Sequence, residues 1–394
     1  MYKKILNKSF ISIFLVALFQ TMAQYISHAL VPKYADSLGA AASVIGLISG
    51  LYAGTALVLR PVTSPTFDIF NKKDILAVAL GITSLSFVVF YLSNSIVWIA
   101  VGRIIQGLGI GVAGPIGLSI VASALPRDVY SRGVSLYTVT QAFGQAIGPS
   151  IGLSLAKTVG YQKTFLISAV LMAVAVGLTR LCSDTPISED RHYRVGFKSI
   201  FSKAAIPAAI LILFNVMPYA STSAMITIYG DLLSIERIGL YFTVYAIGLL
   251  VSKAFLGGLA DKHGLVKVYV LSLIVYALAF LFLGIARALP MILVAAVFAA
   301  VGFGVGQPCI QAMCMKTATP DKTGVAANTL YFFQDIGLFV GPYFSGMVID
   351  MFRSSGSDPV TAYGNSFILL IVPIVIAAVL AILLRNVIKR NIKR

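Results

Sequence analysis

Three sets of polar residues recur at helical spacing inside apolar sequence. Gln20, Gln24 and His28 fall every four residues, Asn215, Tyr219 and Thr222 at i, i+4 and i+7, and Asn328, Tyr331 and Asp335 at i, i+3 and i+7. Each set therefore occupies one face of a helix. Carboxamides and phenols hold an organic solute by hydrogen bonds, and Gln106, Gln141, Gln145, Gln307 and Gln311 extend the same candidate lining. Asp335, Arg103 and His28 are the candidates for moving or steering a proton, because an ionisable group inside an apolar run is costly and marks function by default. Asp335 is the one acidic residue placed near the middle of such a run. A structural anchor is the competing reading of Arg103, and a hydrogen-bonded helix contact that of His28.

Other chemistries find little support. Three cysteines (Cys182, Cys309, Cys314) and three histidines are too few and too scattered for a disulfide framework or a multi-histidine metal site, so neither a metal nor a cofactor is expected. Gly109-x-Gly111-x-x-Gly114 spells a dinucleotide fingerprint and Gly148-x-Ser150-x-Gly152 a nucleophile elbow. Both need a preceding strand, and both lie in apolar helical sequence. There is no Walker A lysine motif, so coupling to ATP on this chain is not expected.

The elements that position these residues are helices in hydrocarbon. Of 394 residues, 58% are hydrophobic and 11% charged, less than half the charge a water-facing surface carries. That excludes a soluble enzyme, a nucleic-acid binder and a disordered chain. Crossing the bilayer takes about 20 apolar residues as a helix, and twelve such stretches are centred near Phe19, Leu51, Ser84, Leu108, Phe143, Val170, Phe214, Tyr245, Val275, Val301, Leu338 and Val375. The first continues through Gln20 and Gln24 without a small-residue cleavage site, which predicts an uncleaved helix. The expected fold class is an all-α integral membrane protein of twelve transmembrane helices in two six-helix repeats.

The formal net charge of +16 follows from topology. With the N-terminus inside, only Lys33, Lys157, Lys163, Arg237, Arg287 and Arg353 fall in outer connections and Arg103 within a span, while the remaining lysines and arginines face the cytoplasm. Both termini are then cytoplasmic, and the basic residues call for no nucleic acid.

The chain repeats itself. At an offset of 193 residues Ile45-Gly46-Leu47 meets Ile238-Gly239-Leu240, Tyr52-Ala53 meets Tyr245-Ala246, and Gln141, Gly144, Gly148 and Pro149 meet Gln334, Gly337, Gly341 and Pro342. At 195 residues Tyr34-x-Asp36 meets Tyr229-x-Asp231. This predicts an N-terminal half at residues 1–180, a cytoplasmic linker at 181–203 and a C-terminal half at 204–394. Such repeats mark secondary transporters.

Three motifs carry a family resemblance. Gly144-x-x-x-Gly148-Pro149-x-x-Gly152 presents a flat ridge with a proline bend. A loop signature reads Gly257-Gly258-Leu259-Ala260-Asp261-Lys262-His263-Gly264 in the second half, and in the first keeps only Asp68 and the pair Lys72-Lys73, with Asn71 at the glycine position. Asn71 is expected to tolerate the left-handed backbone a glycine would take there. Arg103-x-x-Gln106-Gly107-x-Gly109-x-Gly111 is the third. With these motifs the whole chain resembles the major facilitator superfamily, and within it the twelve-helix drug/proton antiporter-like exporters.

That resemblance implies a gating set: Gly144, Gly148, Pro149, Gly152, Asp68, Lys72, Lys73, Gly257, Asp261, Gly337, Gly341 and Pro342. It implies a secondary transporter that exports a small organic solute against protons by alternating access. The expected partners are that solute, protons and the lipid bilayer, with the chain a monomer in a bacterial inner or cytoplasmic membrane. A facilitator or importing symporter, and a non-transporting scaffold or receptor on the same fold, remain as alternatives; the first span carries no acidic residue, unlike many relatives.

Overall fold

A computed structural model describes residues 7–63, 71–126, 129–183, 201–256, 259–317 and 323–392. Asp68 and Gly257 lie outside the described residues, as do the side chain of Asp261 and most of the expected linker.

A helix covers each of the twelve predicted centres. They are α1 (Lys8–Ser37), α2 (Ala42–Thr63), α3 (Lys72–Leu92), α4 (Ile96–Ala124), α5 (Tyr130–Val159), α6 (Tyr161–Thr179), α7 (Ile206–Leu232), α8 (Leu240–Leu256), α9 (Leu265–Ile285), α10 (Leu289–Met315), α11 (Thr323–Ser354) and α12 (Pro359–Leu383). Ten are long and apolar enough to cross a bilayer. The other two explain themselves: α8 has 17 residues, and α5 has 30 but carries Ser135, Thr138, Thr140, Gln141, Gln145, Ser150 and Ser154. A short amphipathic helix, α13 (Arg385–Ile392), follows.

Local signals set the helix ends. Ser95 caps α4, and Asp358 caps α12 by accepting from the Thr361 amide at 3.0 Å. Hydrogen bonds from Thr361, hydroxyl and amide, hold the exposed Asp358 carboxyl below the usual carboxylate range. Asn71 corrects an expectation: with φ −61° and ψ 122° it is extended, and its side chain accepts from the Lys73 amide as the N-cap of α3. Its repeat counterpart, Gly264, does take positive φ (89°). An Asn side chain offers a capping oxygen that glycine lacks, so the two halves open their third helices differently.

The chain divides into two compact units, residues 1–34 with 51–195, and residues 35–50 with 196–394. In the first, α3 packs on α4 and α6 around Phe87, Phe90 and Phe165, all with fully buried rings. In the second, α9 packs on α10, α7 on α11 and α8 on α10.

The sequence repeat recurs as matching contacts inside each unit. Tyr34 donates its hydroxyl to the Ser93 carbonyl at 2.6 Å, and Tyr229 donates to the Ala286 carbonyl at 2.7 Å. A Cβ on Gly111 would meet Ala56, and one on Gly304 would meet Leu249 and Ser252. A Cβ on Gly109 would meet Thr83, and one on Gly302 Tyr276. In each case the partners are themselves repeat-related at 193 residues, or at 195 for the two tyrosines.

Candidate functional site

Two clusters of buried polar and aromatic residues stand out, one in each unit. In the first unit α1, α2 and α4 bring together His28, Tyr52, Arg103 and Gln106. Arg103 and Gln106, three apart on α4, are 1% and 0% exposed. An Arg103 Nη donates to Gln106 Oε1 at 2.7 Å, and the Gln106 amide donates to Ser27 Oγ on α1 at 3.0 Å. The Arg103 guanidinium carbon lies 5.4 Å from the centre of the Tyr52 ring, a cation–π arrangement. The His28 ring stands 5.0 Å from Tyr52 and 5.6 Å from Tyr25. Gly107 makes this approach possible, since a Cβ there would strike the Tyr52 carbonyl.

Arg103 Nε and His28 Nε2 are buried and have no hydrogen-bond partner among the described residues. The one described carboxylate of this unit is Asp74, in the first turn of α3. The interior therefore holds a guanidinium without a described counter-charge, at a cost of several kcal/mol per uncompensated buried ion. An anionic group arriving beside it would recover part of that cost, and the free Nε–H and an Nη–H form a fork for one carboxylate.

In the second unit Tyr219 on α7 stacks on Tyr245 of α8 (5.8 Å) and on Phe303 of α10 (5.1 Å). Tyr241 stacks on Tyr245, and Tyr276 of α9 closes against Phe303. Asn215, one turn before Tyr219, is fully buried, and neither side-chain atom has a hydrogen-bond partner among the described residues. It faces α10, where a Cβ on Gly306 would lie 3.2 Å from Asn215 Oδ1. Asp335 is 4% exposed on α11, 12 residues beyond Thr323, or roughly 18 Å along the helix. Asn328 and Tyr331 share its helix face and are half-buried. Gln20, Gln24, Gln145, Gln307 and Gln311 are also half-buried, whereas Gln141 is exposed on α5.

The glycine ridges pack inside their own units. On α5, a Cβ at Gly144 would meet Thr21, one at Gly148 would sit 2.9 Å from Tyr25 Cβ, and one at Gly152 would meet Ile26, so the ridge lies along α1. On α11, Gly337 and Gly341 lie against the backbone of Leu213 and Met217 on α7. The opposite side of α11 carries the start of α2: Gly50 lies against Phe339, Gly46 against the Pro342 carbonyl, and Gly346 against Ala42. Lys72 and Lys73 open α3 and are half-buried.

Sequence spacing did not select Ser27, Tyr25, Tyr52, Tyr245 or Phe303 for either interior. A signal existed for two of them: Tyr52 and Tyr245 superpose at the repeat offset, and each turns out to be the aromatic partner of its unit's polar cluster.

Comparison with known proteins places this geometry. The model of the Major Facilitator Superfamily matches residues 13–236 and again 208–394. The chain belongs to the major facilitator superfamily. Among its relatives in the superfamily, the staphylopine export protein of Staphylococcus aureus is 23% identical over 68% of this chain and 71% of that one. Multidrug resistance protein 1 of Bacillus subtilis is 23% identical over 81% and 84%. The multidrug resistance efflux pump PmrA homolog of Lactococcus lactis is 26% identical over 79% and 80%. In fold, a bacterial homolog of the human lysosomal transporter Spinster aligns with a TM-score of 0.82 at 14% identity, covering 97% of each chain. The nucleoside transporter NupG aligns at 0.74 and 12% identity, covering 95% and 98%. As a superfamily member the chain is a multi-pass membrane transporter, and several of the relatives it resembles are named for drug resistance or efflux.

Proposed function

We propose that this transporter exports a small organic solute in exchange for protons, by alternating access, in a bacterial-type cytoplasmic membrane. The observation that carries the reading is the seating of ionisable groups at depth: Asp335 on α11 in one unit, and Arg103 on α4 with His28 near it in the other. A carboxylate surrounded by hydrocarbon-length helix is the natural carrier of an exchanging proton, and Tyr219, Tyr245 and Phe303 supply flat apolar surface for an organic body. The export and efflux names of two relatives, matched over 68% and 79% of the chain, support the outward direction. The two halves at 1–180 and 204–394, the cytoplasmic linker at 181–203, cytoplasmic termini and a monomeric chain belong to this proposal.

Arg103, which has no carboxylate partner among the described residues, favours a second, narrower reading: the solute, or one portion of it, carries a single negative group that sits in the guanidinium fork. Everted membrane vesicles test the core proposal. Solute accumulation on imposing an interior-acid gradient, abolished by a protonophore, is expected; equilibration without accumulation, indifferent to the protonophore, would make the protein a facilitator, and efflux from the vesicles on the same gradient a symporter.

A further inference from the structure

We infer that this transporter holds an anionic phospholipid at a site no part of transport chemistry explains: the groove between the start of α9, the ends of α10 and α12, and α13. The cavity is about 360 Å³, within the range of small-ligand pockets. Four basic side chains line it, His263, Lys267, Arg385 and Lys389, and no acidic residue does. The rest of the lining is apolar, including Leu271, Met313 and Ile382.

The α13 sequence builds one wall. Arg385, Ile388, Lys389 and Ile392 fall at i, i+3, i+4 and i+7, so one face of the helix alternates cation with isoleucine, and all four line the cavity. Ile388 is 1% exposed, and from another face the Asn391 amide donates to the Ala204 carbonyl at 3.0 Å. The helix is thereby tied down and the groove is preformed. On the opposite wall Gly264, at positive φ, turns the chain between His263 and α9, and His263 and Lys267 stand four residues apart.

Chemistry selects a lipid over a free anion. Converging cations above an apolar floor suit a phosphate that carries a hydrocarbon tail. The floor continues into bilayer-length helix: Leu271 and Ile382 are 52% and 59% exposed, Ile274 and Leu278 follow on the Leu271 face of α9, and Val379 and Val375 on the Ile382 face of α12. A headgroup in the cavity thus leaves an acyl chain lying along exposed apolar side chains. The leaflet is the cytoplasmic one, an assignment that rests on the proposed orientation; the site itself does not.

Native mass spectrometry of the detergent-purified full chain, titrated with phosphatidylglycerol, phosphatidylcholine or soluble glycerol 3-phosphate, tests this. Each basic residue beside an anionic headgroup is worth roughly fivefold in affinity, so Lys267→Gln with Arg385→Gln and Lys389→Gln should weaken phosphatidylglycerol binding on the order of 100-fold. Lys157→Gln with Lys163→Gln should leave it unchanged. Equal retention of phosphatidylglycerol and phosphatidylcholine, or an unaffected triple variant, overturns the proposal; glycerol 3-phosphate competing as strongly as the lipid converts the groove into a free-phosphate site and overturns it too. Because the triple variant removes charge from α13 itself, a second reading keeps that helix intact. Ile382→Trp in a Trp98→Phe background should be quenched more by brominated phosphatidylglycerol than by brominated phosphatidylcholine, and equal quenching counts against the site.

Discussion

Asp350 on α11 holds the start of α2 through Ser43: one carboxylate oxygen accepts from the Ser43 amide at 2.9 Å while the other accepts from Ala42 at 3.1 Å. Both amides are otherwise orphan donors of a helix N-terminus, and a carboxylate there also meets the positive end of the helix dipole. One turn earlier, Gly346 lets the α11 backbone lie directly on Ala42. The contact is a side-chain cap supplied from a different helix. Asp350→Ala should therefore destabilise the protein by about 1 kcal/mol, and Asp350→Asn by less because it keeps an acceptor. Thermal unfolding in detergent measures this; an alanine variant as stable as the parent would leave the contact without energetic weight.

The two glycine ridges should differ in tolerance. A methyl on Gly341 would lie 2.6–3.1 Å from the Met217 backbone, which has no side-chain freedom to yield, whereas a methyl on Gly148 meets the Tyr25 side chain at 2.9 Å and the Met22 carbonyl at 3.3 Å. Gly341→Ala should cost more than Gly148→Ala, within the usual range of about 1–3 kcal/mol for overpacking. Leucine at either position should leave inserted protein that no longer transports. Paired melting and vesicle assays decide, and the reverse order of alanine effects would contradict the backbone argument.

On the proposed reading, Arg103 should set the charge preference of the first unit. Hydrogen bonds to charged groups contribute about 1.5–3 kcal/mol, so Arg103→Gln should weaken binding of 1-naphthoate on the order of 10- to 100-fold and spare its methyl ester. Arg103→Lys keeps the charge but loses the planar fork, and should fall between. Equal effects of Arg103→Gln on acid and ester would return this residue to a purely structural role.

Asp335→Asn should remove pH-gradient-driven accumulation while downhill exchange of solute persists. Loss of solute binding itself, with residual transport still sensitive to protonophore, would instead make Asp335 a solute contact and leave His28 as the next proton candidate. Full gradient-driven export by this variant contradicts both roles.

Orientation is testable with single cysteines placed in a chain whose Cys182, Cys309 and Cys314 have been replaced. Residue 190 should resist a membrane-impermeant thiol reagent in intact cells and react once the cytoplasmic face is exposed. Labelling from outside would invert the assignment and move the proposed lipid site to the other leaflet.

The sequence by itself determined the twelve helices, their internal repeat and the polar face of each, because these are local properties. Hydropathy over about 20 residues decides whether a segment spans, and the 3.6-residue period decides which side chains share a face. It also supplied Arg103, Asp335 and Asn215 as buried polar groups. Only the tertiary structure decided which faces meet. Hydrocarbon rewards every apolar face alike, so helix pairing is chosen by close small-residue contact and by the few polar groups that find partners. Nothing local told that the Gly144–Gly152 ridge would lie on α1, that Arg103 would stack on Tyr52 and link through Gln106 to Ser27, or that residues 35–50 would join the second unit under Asp350. Asn71 shows the same limit at one position: its type permits either a left-handed turn or a cap, and the geometry of the Lys73 amide selected the cap.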